Sequence, residues 1–408
     1  MKKSIQYQLS FMMFLEFFIW GGWFVTLGSF LGNNLSATGA ETGMAYSTQS
    51  WGAIIAPFII GLIADKFFNA EKILGVLHIV GAVLMYQMSQ STEFATFYPY
   101  VLFYMIAYMP TLALVNSVSF NQMKDPAKEF PFVRVFGTIG WILAGLIISF
   151  VFKWDSIENI GNGMLSNTFT MVAIASAVLG IFSFTLPKTP PKGKGEKTSI
   201  SDILGLDALK LLKDRNFLVF FVSSVLICIP LAFYYQNISP FLTEYKVENS
   251  TAWASIGQIS EVGFMLLLPF FFKKYGFKKT ILFGMLAWGI RYVLFAYGNA
   301  GDLFFMLVIG IALHGICYDF FFVSGQIYTD SKAGDKVKSA AQGLITLATY
   351  GIGMLVGFWV AGNIVDKNLL AEGTHSWQDV WMFPALFAIG VLIFFAVLFK
   401  NEKVEYKA

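Results

Sequence analysis

The 408-residue sequence has little charge, because Asp, Glu, Lys and Arg make up 13% of it against roughly 25% in soluble proteins. Its three histidines and two cysteines have no spacing typical of a metal site, and no phosphate-binding loop or nucleophile elbow is present. Cys228 and Cys317 lie in apolar segments and are expected to be packed thiols. We therefore expect no metal, no cofactor and no enzymatic activity. The net charge of +3 gives no sign of nucleic-acid binding.

Apolar residues are abundant instead, at 56% of the chain with 17% aromatic. About 20 apolar residues are enough to cross a bilayer as a helix. Twelve such segments are predicted, at 6–32, 42–65, 72–91, 96–123, 132–152, 167–187, 217–243, 252–272, 279–298, 302–328, 339–364 and 377–399. The sequence therefore predicts an all-α membrane protein with twelve transmembrane helices and the lipid bilayer as its surroundings.

Basic residues give the expected orientation of these helices. If the connections alternate between the two sides, 23 of the 28 Lys and Arg residues fall on the side of both termini and three on the other side. Basic loops stay in the cytoplasm, so both termini are predicted to be cytoplasmic. The run at 6–32 is too long for a signal peptide and is interpreted as an uncleaved first helix.

The longest polar stretch, 188–216, divides the chain into an N-terminal half (1–187) and a C-terminal half (217–408), each with six predicted helices. It begins with a Pro- and Lys-rich run and continues with an amphipathic pattern that predicts a short helix on the cytoplasmic surface. A weak repeat relates Lys66–Leu74 to Lys274–Leu282 at about half the chain length. Two six-helix halves are typical of the major facilitator fold.

Gly61-Leu-Ile-Ala-Asp65, followed by Lys66, resembles the loop motif that this superfamily has between its second and third helices. Together with the twelve segments, the central loop and the repeat, the motif supports the major facilitator fold.

Three polar side chains interrupt the apolar segment 303–328. His314 and Tyr318 share a helical face, and Asp319 is the next residue. A carboxylate inside a membrane helix costs about 2.5–3.5 kcal/mol and commonly marks a functional site. We interpret these residues as part of a polar site within the helix bundle. The alternative is that Asp319 only ties two helices together.

Two further stripes of polar residues lie within apolar segments. Arg134, Thr138 and Trp141 recur at i, i+4 and i+7, a pattern suited to a polar, planar ligand. Arg134 could instead lie at the membrane boundary and extend to water. Gln258 and Glu261 are three apart on one helical face and are predicted to hydrogen-bond a ligand.

Other buried polar groups have more than one interpretation. Glu16 lies midway along the first segment, and it is either an uncharged structural carboxyl or a group that couples transport to protons. Arg291 is predicted to be the structural partner of a carboxylate, because an unpaired buried guanidinium would be too costly. Tyr235 belongs to a polar run near the outer end of the seventh segment.

Several motifs together resemble the nucleoside:H+ symporter family of the major facilitator superfamily, over nearly the whole chain. They are Trp20-Gly-Gly-Trp23, Thr26-Leu-Gly-Ser29, Ala64-Asp-Lys66, Ala107-Tyr-Met-Pro-Thr111, Phe130-Pro131 with Arg134, Gly137-Thr-Ile-Gly140, Leu204-Gly-Leu-Asp-Ala208, Gln258-Ile-Ser-Glu261, Arg291 with Phe295-Ala-Tyr-Gly298, Asp319-Phe-Phe321 and Ala341-Gln-Gly343.

The resemblance implies proton-driven uptake of nucleosides across the bacterial inner membrane by alternating access. The family's substrate site would fall here on Arg134, Thr138, Trp141, Gln258, Glu261, Tyr318 and Asp319. Gln258 and Glu261 would bind ribose hydroxyls or base edges, and Trp141 and Tyr318 would stack on the base. Asp319 is the first candidate for the protonatable coupling group, followed by Glu261 and then Glu16. A monomer is expected by analogy.

The sequence departs from the family pattern at four positions. Ala232 and Tyr235 replace a Gln and an Asn of the seventh helix, His314 replaces an aromatic residue and Glu16 replaces a Gln. Tyr235 and His314 are therefore added to the predicted substrate site. These changes leave open a transporter of another polar ligand, such as a sugar. A membrane sensor that transports nothing is a further alternative.

Overall fold

The computed structural model describes residues 2–59, 67–191, 206–333, 338–402 and 404. Within these ranges the protein is helical and has no β-strand beyond one isolated bridge, between Leu369 and His375. The α-helices, in chain order, are α1 Lys3–Gly21, α2 Leu27–Leu35, α3 Gly39–Ile59, α4 Ala70–Gln90, α5 Phe94–Asn121, α6 Pro126–Leu146, α7 Ile157–Gly161, α8 Ser166–Ser183, α9 Arg215–Glu244, α10 Ser250–Tyr297, α11 Phe304–Ala312, α12 His314–Tyr318, α13 Ser324–Ala333, α14 Lys338–Thr346, α15 Met354–Lys367 and α16 Trp377–Leu398.

Nine helical stretches of the described ranges are long and apolar enough to cross a bilayer. One of them, α10, has 48 residues and covers two predicted segments, because it turns at Gly276 (φ 77°, ψ 171°). Backbone of this kind favours glycine, which has no Cβ to clash. The predicted segment 42–65 runs beyond α3 into residues 60–66, outside the described residues. The motif Gly61–Asp65 lies there too, and the count of twelve stays a prediction.

Chain contacts divide the protein into two units. The first unit consists of Met1–Ala37, Thr48–Ser199 and Glu248–Ala252, and the second of Thr38–Ser47, Ile200–Val247 and Trp253–Ala408. In the first unit α1 packs against α6 and α8, and α4 packs against α5 and α8. In the second unit α9 packs against α15 and α16.

The linker between the predicted halves is described only in part. Residues 192–205 lie outside the described residues, and Leu206–Lys213 forms a 3₁₀ helix where the sequence predicts a short amphipathic one. Helix α9 then begins at Arg215, with the Asp214 carboxylate accepting a hydrogen bond of 2.9 Å from the backbone N–H of Phe217. A carboxylate at this position satisfies a free donor of the first turn.

Several predicted segments are not regular α-helices throughout. The segment 6–32 divides into α1 and α2 at a turn in which the Thr26 hydroxyl bonds the carbonyl of Trp23. The segment 302–328 contains π-helical backbone at Asp319–Val323, and two more π-helical stretches occur at Ile147–Phe152 and Leu347–Gly353. Such insertions are frequent at functional sites, and this one begins at the intramembrane carboxylate.

Candidate transport site

In the second unit three charged or titratable side chains form a chain of contacts. Glu261 lies on α10 before the turn at Gly276, Arg291 lies on α10 after it, and His314 is the first residue of α12. The His314 Nε2 atom lies 3.0 Å from Oε1 of Glu261, and Nδ1 lies 2.9 Å from Nη1 of Arg291. His314 and Arg291 are fully buried, whereas the Glu261 side chain is 21% exposed. Among these three side chains, the Glu261 carboxylate is therefore the group that a ligand can reach.

The contact with Arg291 determines where His314 carries its hydrogen. A guanidinium can only donate, so Nδ1 must accept. The hydrogen of the neutral ring is then on Nε2, which lies 3.0 Å from Oε1 of Glu261 but is not aligned for a hydrogen bond with it. The uncharged imidazole therefore lies between the guanidinium and the carboxylate.

Arg291 meets an imidazole where the sequence predicts a carboxylate partner. Its guanidinium also stacks over the Tyr234 ring, 3.6 Å from the ring centre. Its Nε and Nη2 atoms have no hydrogen-bond partner within the described part of the chain. The ring contact and the pairing through His314 compensate a charge that burial alone would make very costly.

Asp319 is fully buried, and neither carboxylate oxygen has a hydrogen-bond partner among the described residues. Buried polar groups nearly always have partners, because leaving one unpaired costs about 1–3 kcal/mol and more for a charge. The alternative that Asp319 only ties two helices together predicts a bonded carboxylate, and the described residues supply no such bond. A bound proton would remove the charge of this carboxylate.

Aromatic side chains surround His314. Tyr318 follows one turn later in α12, with its ring centre 5.9 Å from that of His314, and the Tyr235 ring of α9 lies 6.2 Å away. The Tyr318 hydroxyl is 2.8 Å from the hydroxyl of Tyr350, which holds one edge of the ring in place. Gln258 lies on α10 one turn before Glu261 and is partly exposed.

The predicted stripe of the first unit lies on α6. The Arg134 guanidinium stacks over the Phe17 ring of α1 at 4.1 Å from the ring centre. The Trp141 ring lies edge to face with Trp20 of α1, 5.6 Å between centres. Thr138 lies between them on α6, and all three stripe residues are partly exposed.

Glu16 on α1 is fully buried, and its side chain contacts two other helices. Its Oε2 atom lies 2.8 Å from Nε2 of His78 on α4, and its Oε1 atom lies 2.6 Å from the Thr111 hydroxyl on α5. The other ring nitrogen of His78 lies 3.2 Å from the Ser176 hydroxyl on α8. The sequence identified Glu16 but neither His78 nor Ser176.

Ala232, one of the departures in α9, is fully buried against α15. A Cβ atom added to Gly357 would lie 2.6 Å from the Cβ atom of Ala232. A Gln side chain at position 232 would need the space that these two residues now share, so the alanine is matched by close helix packing.

Comparison with known proteins identifies the family to which this chain belongs. The profile of the family described as "Nucleoside H+ symporter" matches residues 2–404. The protein named "Putative nucleoside transporter YegT" from Escherichia coli K12 is 44% identical over 98% of this chain and 95% of its own. The xanthosine permease of the same organism is 34% identical over 99% of each chain. The chain belongs to the nucleoside:H+ symporter family.

A crystal structure of one family member has the same fold. The nucleoside transporter NupG superposes with a TM-score of 0.87 and 30% identity, covering 98% of this chain and 100% of the other. Membership in the nucleoside:H+ symporter family makes the chain a membrane transporter and not an enzyme. The predicted family is confirmed, and so is the prediction of an all-helical transporter fold.

Sequence reasoning missed the partners of the predicted residues rather than the residues themselves. Tyr350, His78 and Ser176 gave no signal, and Thr111 was noted only within a family motif, because their contacts join helices that are distant along the chain. Within the described residues no group of three or more His, Cys, Asp or Glu side chains could hold a metal ion.

Proposed function

We propose that the protein takes up nucleosides together with protons across the bacterial inner membrane, by alternating access in a twelve-helix major facilitator fold with both termini in the cytoplasm. The family description names a nucleoside and a proton, and the basic residues support the orientation. Arg134, Thr138, Trp141, Tyr235, Gln258, Glu261, His314, Tyr318 and Asp319 form the proposed substrate site.

The proposed proton coupling rests on the surroundings of the Asp319 side chain. Its carboxyl group is fully buried and unpartnered among the described residues, at the start of a π-helical segment. In a membrane interior such a group is stable when it holds a proton and costly when it is charged. Binding and release of that proton on opposite sides of the membrane would drive the cycle.

Glu261 serves as a fixed acceptor for the substrate. His314 contacts its carboxylate and Arg291 places a positive charge on the other side of the ring, so Glu261 can stay ionised beside a neutral ligand. An ionised carboxylate is a strong acceptor for two ribose hydroxyls. Gln258, one turn away, offers both a donor and an acceptor for the base or the sugar.

The aromatic residues fit the flat face of a nucleobase. Tyr318 is held by Tyr350 and Trp141 is held by Trp20, so both rings can stack on a base without losing much side-chain freedom. Arg134, whose guanidinium lies over Phe17, would bind polar atoms of the ligand. These roles remain proposals for each residue.

Uptake of radiolabelled uridine and adenosine into proteoliposomes, with and without an inward proton gradient, tests the proposal. Wild type should concentrate both nucleosides when the gradient is present. Asp319→Asn should still exchange nucleoside across the membrane but should concentrate it less than wild type does, because the amide cannot carry a proton. The matched control is Asp302→Asn, which changes an exposed carboxylate just before the same helix.

Each outcome of this experiment is informative. If Asp319→Asn concentrates nucleoside as wild type does, the coupling group is elsewhere, and Glu261→Gln and Glu16→Gln are tested next. If wild type moves no nucleoside but accumulates a sugar from a competition panel, the substrate class is wrong. Binding of nucleoside without any uptake would identify a sensor.

A further inference from the structure

The first unit contains a buried polar cluster that the proposed substrate site does not use. Glu16, His78, Thr111 and Ser176 come from α1, α4, α5 and α8, and each is at most 1% exposed. The closest contact joins Oε2 of Glu16 to Nε2 of His78 at 2.8 Å. All four helices have their principal packing contacts in the same unit.

The hydroxyl of Ser176 lies 2.8 Å from the backbone carbonyl oxygen of His78 and 3.2 Å from Nδ1 of its ring. When its one hydrogen points to the carbonyl, its oxygen accepts from Nδ1, and Nε2 presents a lone pair to the Glu16 carboxylate at 2.8 Å, an arrangement of two acceptors that needs a further proton. When that hydrogen points to Nδ1 instead, Nε2 donates to Glu16, and the buried pair keeps a charge of −1 that a proton would remove.

The other carboxylate oxygen of Glu16, Oε1, also lacks a full hydrogen-bond donor. The Thr111 hydroxyl lies 2.6 Å from Oε1 of Glu16 and 2.5 Å from the backbone carbonyl of Tyr108. A hydroxyl has one hydrogen and cannot donate fully to both. A proton on the Glu16 carboxyl, at either oxygen, would satisfy a contact that is otherwise repulsive or unmade.

We propose that Glu16 and His78 form a second proton-binding site, whose proton is carried into the cell with each substrate molecule. With the proton bound, the pair has no net charge, either as two neutral groups or as imidazolium and carboxylate. Without it the pair has a charge of −1. Release therefore requires a state in which water reaches the pair.

The pair is connected to the predicted substrate residues of its own unit. Tyr108 donates from its hydroxyl to the backbone carbonyl of Glu16 at 2.7 Å, and its ring lies 5.7 Å from that of Trp20. Trp20 in turn contacts Trp141, the ring expected to stack on the base. A change in the charge of the pair can therefore be transmitted to the ligand through two aromatic contacts.

Other titratable or charged groups near the pair come from two helices. Tyr104 and Tyr108 on α5 interact electrostatically with Glu16, and the Arg134 guanidinium of α6 lies over Phe17, the next residue of α1. Helix α8 presents the hydroxyl of Ser176. Arg134 would attract the deprotonated pair, so a ligand that engages Arg134 would favour proton uptake at Glu16.

This inference rests on the proposed proton-coupled uptake, and the number of protons per nucleoside tests it. With Asp319 and the Glu16–His78 pair each carrying one proton, wild type should couple two. At an inward gradient of one pH unit and zero membrane potential, steady-state accumulation of uridine would be about 100-fold for two protons and about 10-fold for one. Glu16→Gln should reduce accumulation from the first value to the second.

Accumulation at steady state does not depend on how much protein folds, so a poorly expressed variant still reports the proton number. Glu71→Gln is the matched control, because Glu71 is also buried in the first unit but accepts from the Thr189 N–H and the Asn69 amide. It should accumulate uridine as wild type does.

The outcomes separate this inference from the proposed function. A wild type that couples a single proton, or a Glu16→Gln variant with wild-type accumulation, overturns the second proton site while leaving coupled uptake intact. A wild type that transports uridine without any response to the gradient overturns the proposed coupling itself. If no Glu16 variant can be purified, the number of protons that wild type couples to each uridine tests the second proton site by itself.

Discussion

Each of the two units contains a carboxylate–imidazole pair, and the two pairs differ in the group on the far side of the ring. The Glu16–His78 distance is 2.8 Å and the Glu261–His314 distance is 3.0 Å. Beyond the ring lies the hydroxyl of Ser176 in the first case and the guanidinium of Arg291 in the second. The guanidinium places the hydrogen of a neutral His314 on Nε2, whereas the hydroxyl can accept from or donate to Nδ1 of His78.

The consequence is that similar pairs are suited to different tasks. The guanidinium leaves His314 neutral and supplies the positive charge that Glu261 needs, so this pair requires no extra proton. The hydroxyl supplies no charge, so the Glu16–His78 pair needs a proton to be neutral. The group beside the imidazole, Arg291 or Ser176, thus determines whether the carboxylate is suited to bind substrate or to carry a proton.

The largest effect should come from removing the cation of the second pair. Arg291→Met would leave Glu261 without a compensating charge beside a buried ring, at an expected cost of about 3–5 kcal/mol in the free energy of unfolding. Thermal unfolding of the detergent-purified protein measures this as a lower Tm. Adding Glu261→Gln to Arg291→Met should restore much of the stability. Equal Tm values for the single and the double variant would show that His314 does not connect the two charges.

Removing the Ser176 hydroxyl, the neutral group beside His78, should lower the free energy of unfolding by a smaller amount. Ser176→Ala leaves Nδ1 of His78 without its hydrogen-bond partner, and about 1–3 kcal/mol of stability should be lost. Ser183→Ala is the control, because that hydroxyl, also buried on α8, bonds only the carbonyl of Leu179 in its own helix. A Ser183→Ala variant as unstable as Ser176→Ala would mean that the contact with His78 has no special importance.

The two histidines should respond differently to the same substitution. His314→Gln should weaken uridine binding by about tenfold, equivalent to 1.4 kcal/mol, since Glu261 loses its orienting partner, while the proton number stays unchanged. His78→Gln should lower the proton number by one. Calorimetric binding and accumulation at a fixed pH gradient measure the two quantities separately. If His314→Gln changes the proton number as well, the neutral state assigned to its ring is wrong.

The smallest expected effect concerns the aromatic residues of the second unit. Tyr350→Phe removes the hydrogen bond to Tyr318, which should cost about 0.5–1.5 kcal/mol and weaken uridine binding by a few-fold. Stability should change by no more than the same amount. Binding titrations with uridine and with free ribose distinguish the cause, because the ribose titration should be unaffected if Tyr318 contacts only the base.

The sequence predicted the polar residues of the site far better than their pairing. Asp319, Glu261, Glu16 and His314 were visible because each breaks an apolar run, and the energetic cost of a charge in a membrane makes such residues informative. Their partners were not visible. His78 is 62 residues from Glu16 and Thr111 is 95 residues from it, and only the packing of four helices brings them together.

Arg291 illustrates the limit of pairing rules. The expectation of a carboxylate partner followed from charge alone, and it did not anticipate that an imidazole would stand between the two charges. The helical fold was predictable because long apolar segments have one stable form in a bilayer. The turn between α1 and α2 and the π-helical segments depend on packing details that a hydropathy pattern does not contain.

The π-helical segment Asp319–Val323 has a practical consequence for mapping this helix. A π turn contains about one residue more than an α turn, so each residue after the segment faces a direction that a regular helical wheel assigns to its neighbour. A cysteine-accessibility scan from Phe304 to Ala333 should therefore show two periodic series that are out of phase by one position. A fluorescent probe placed by means of one continuous helical wheel would therefore be attached to the wrong face of the helix at positions after Val323.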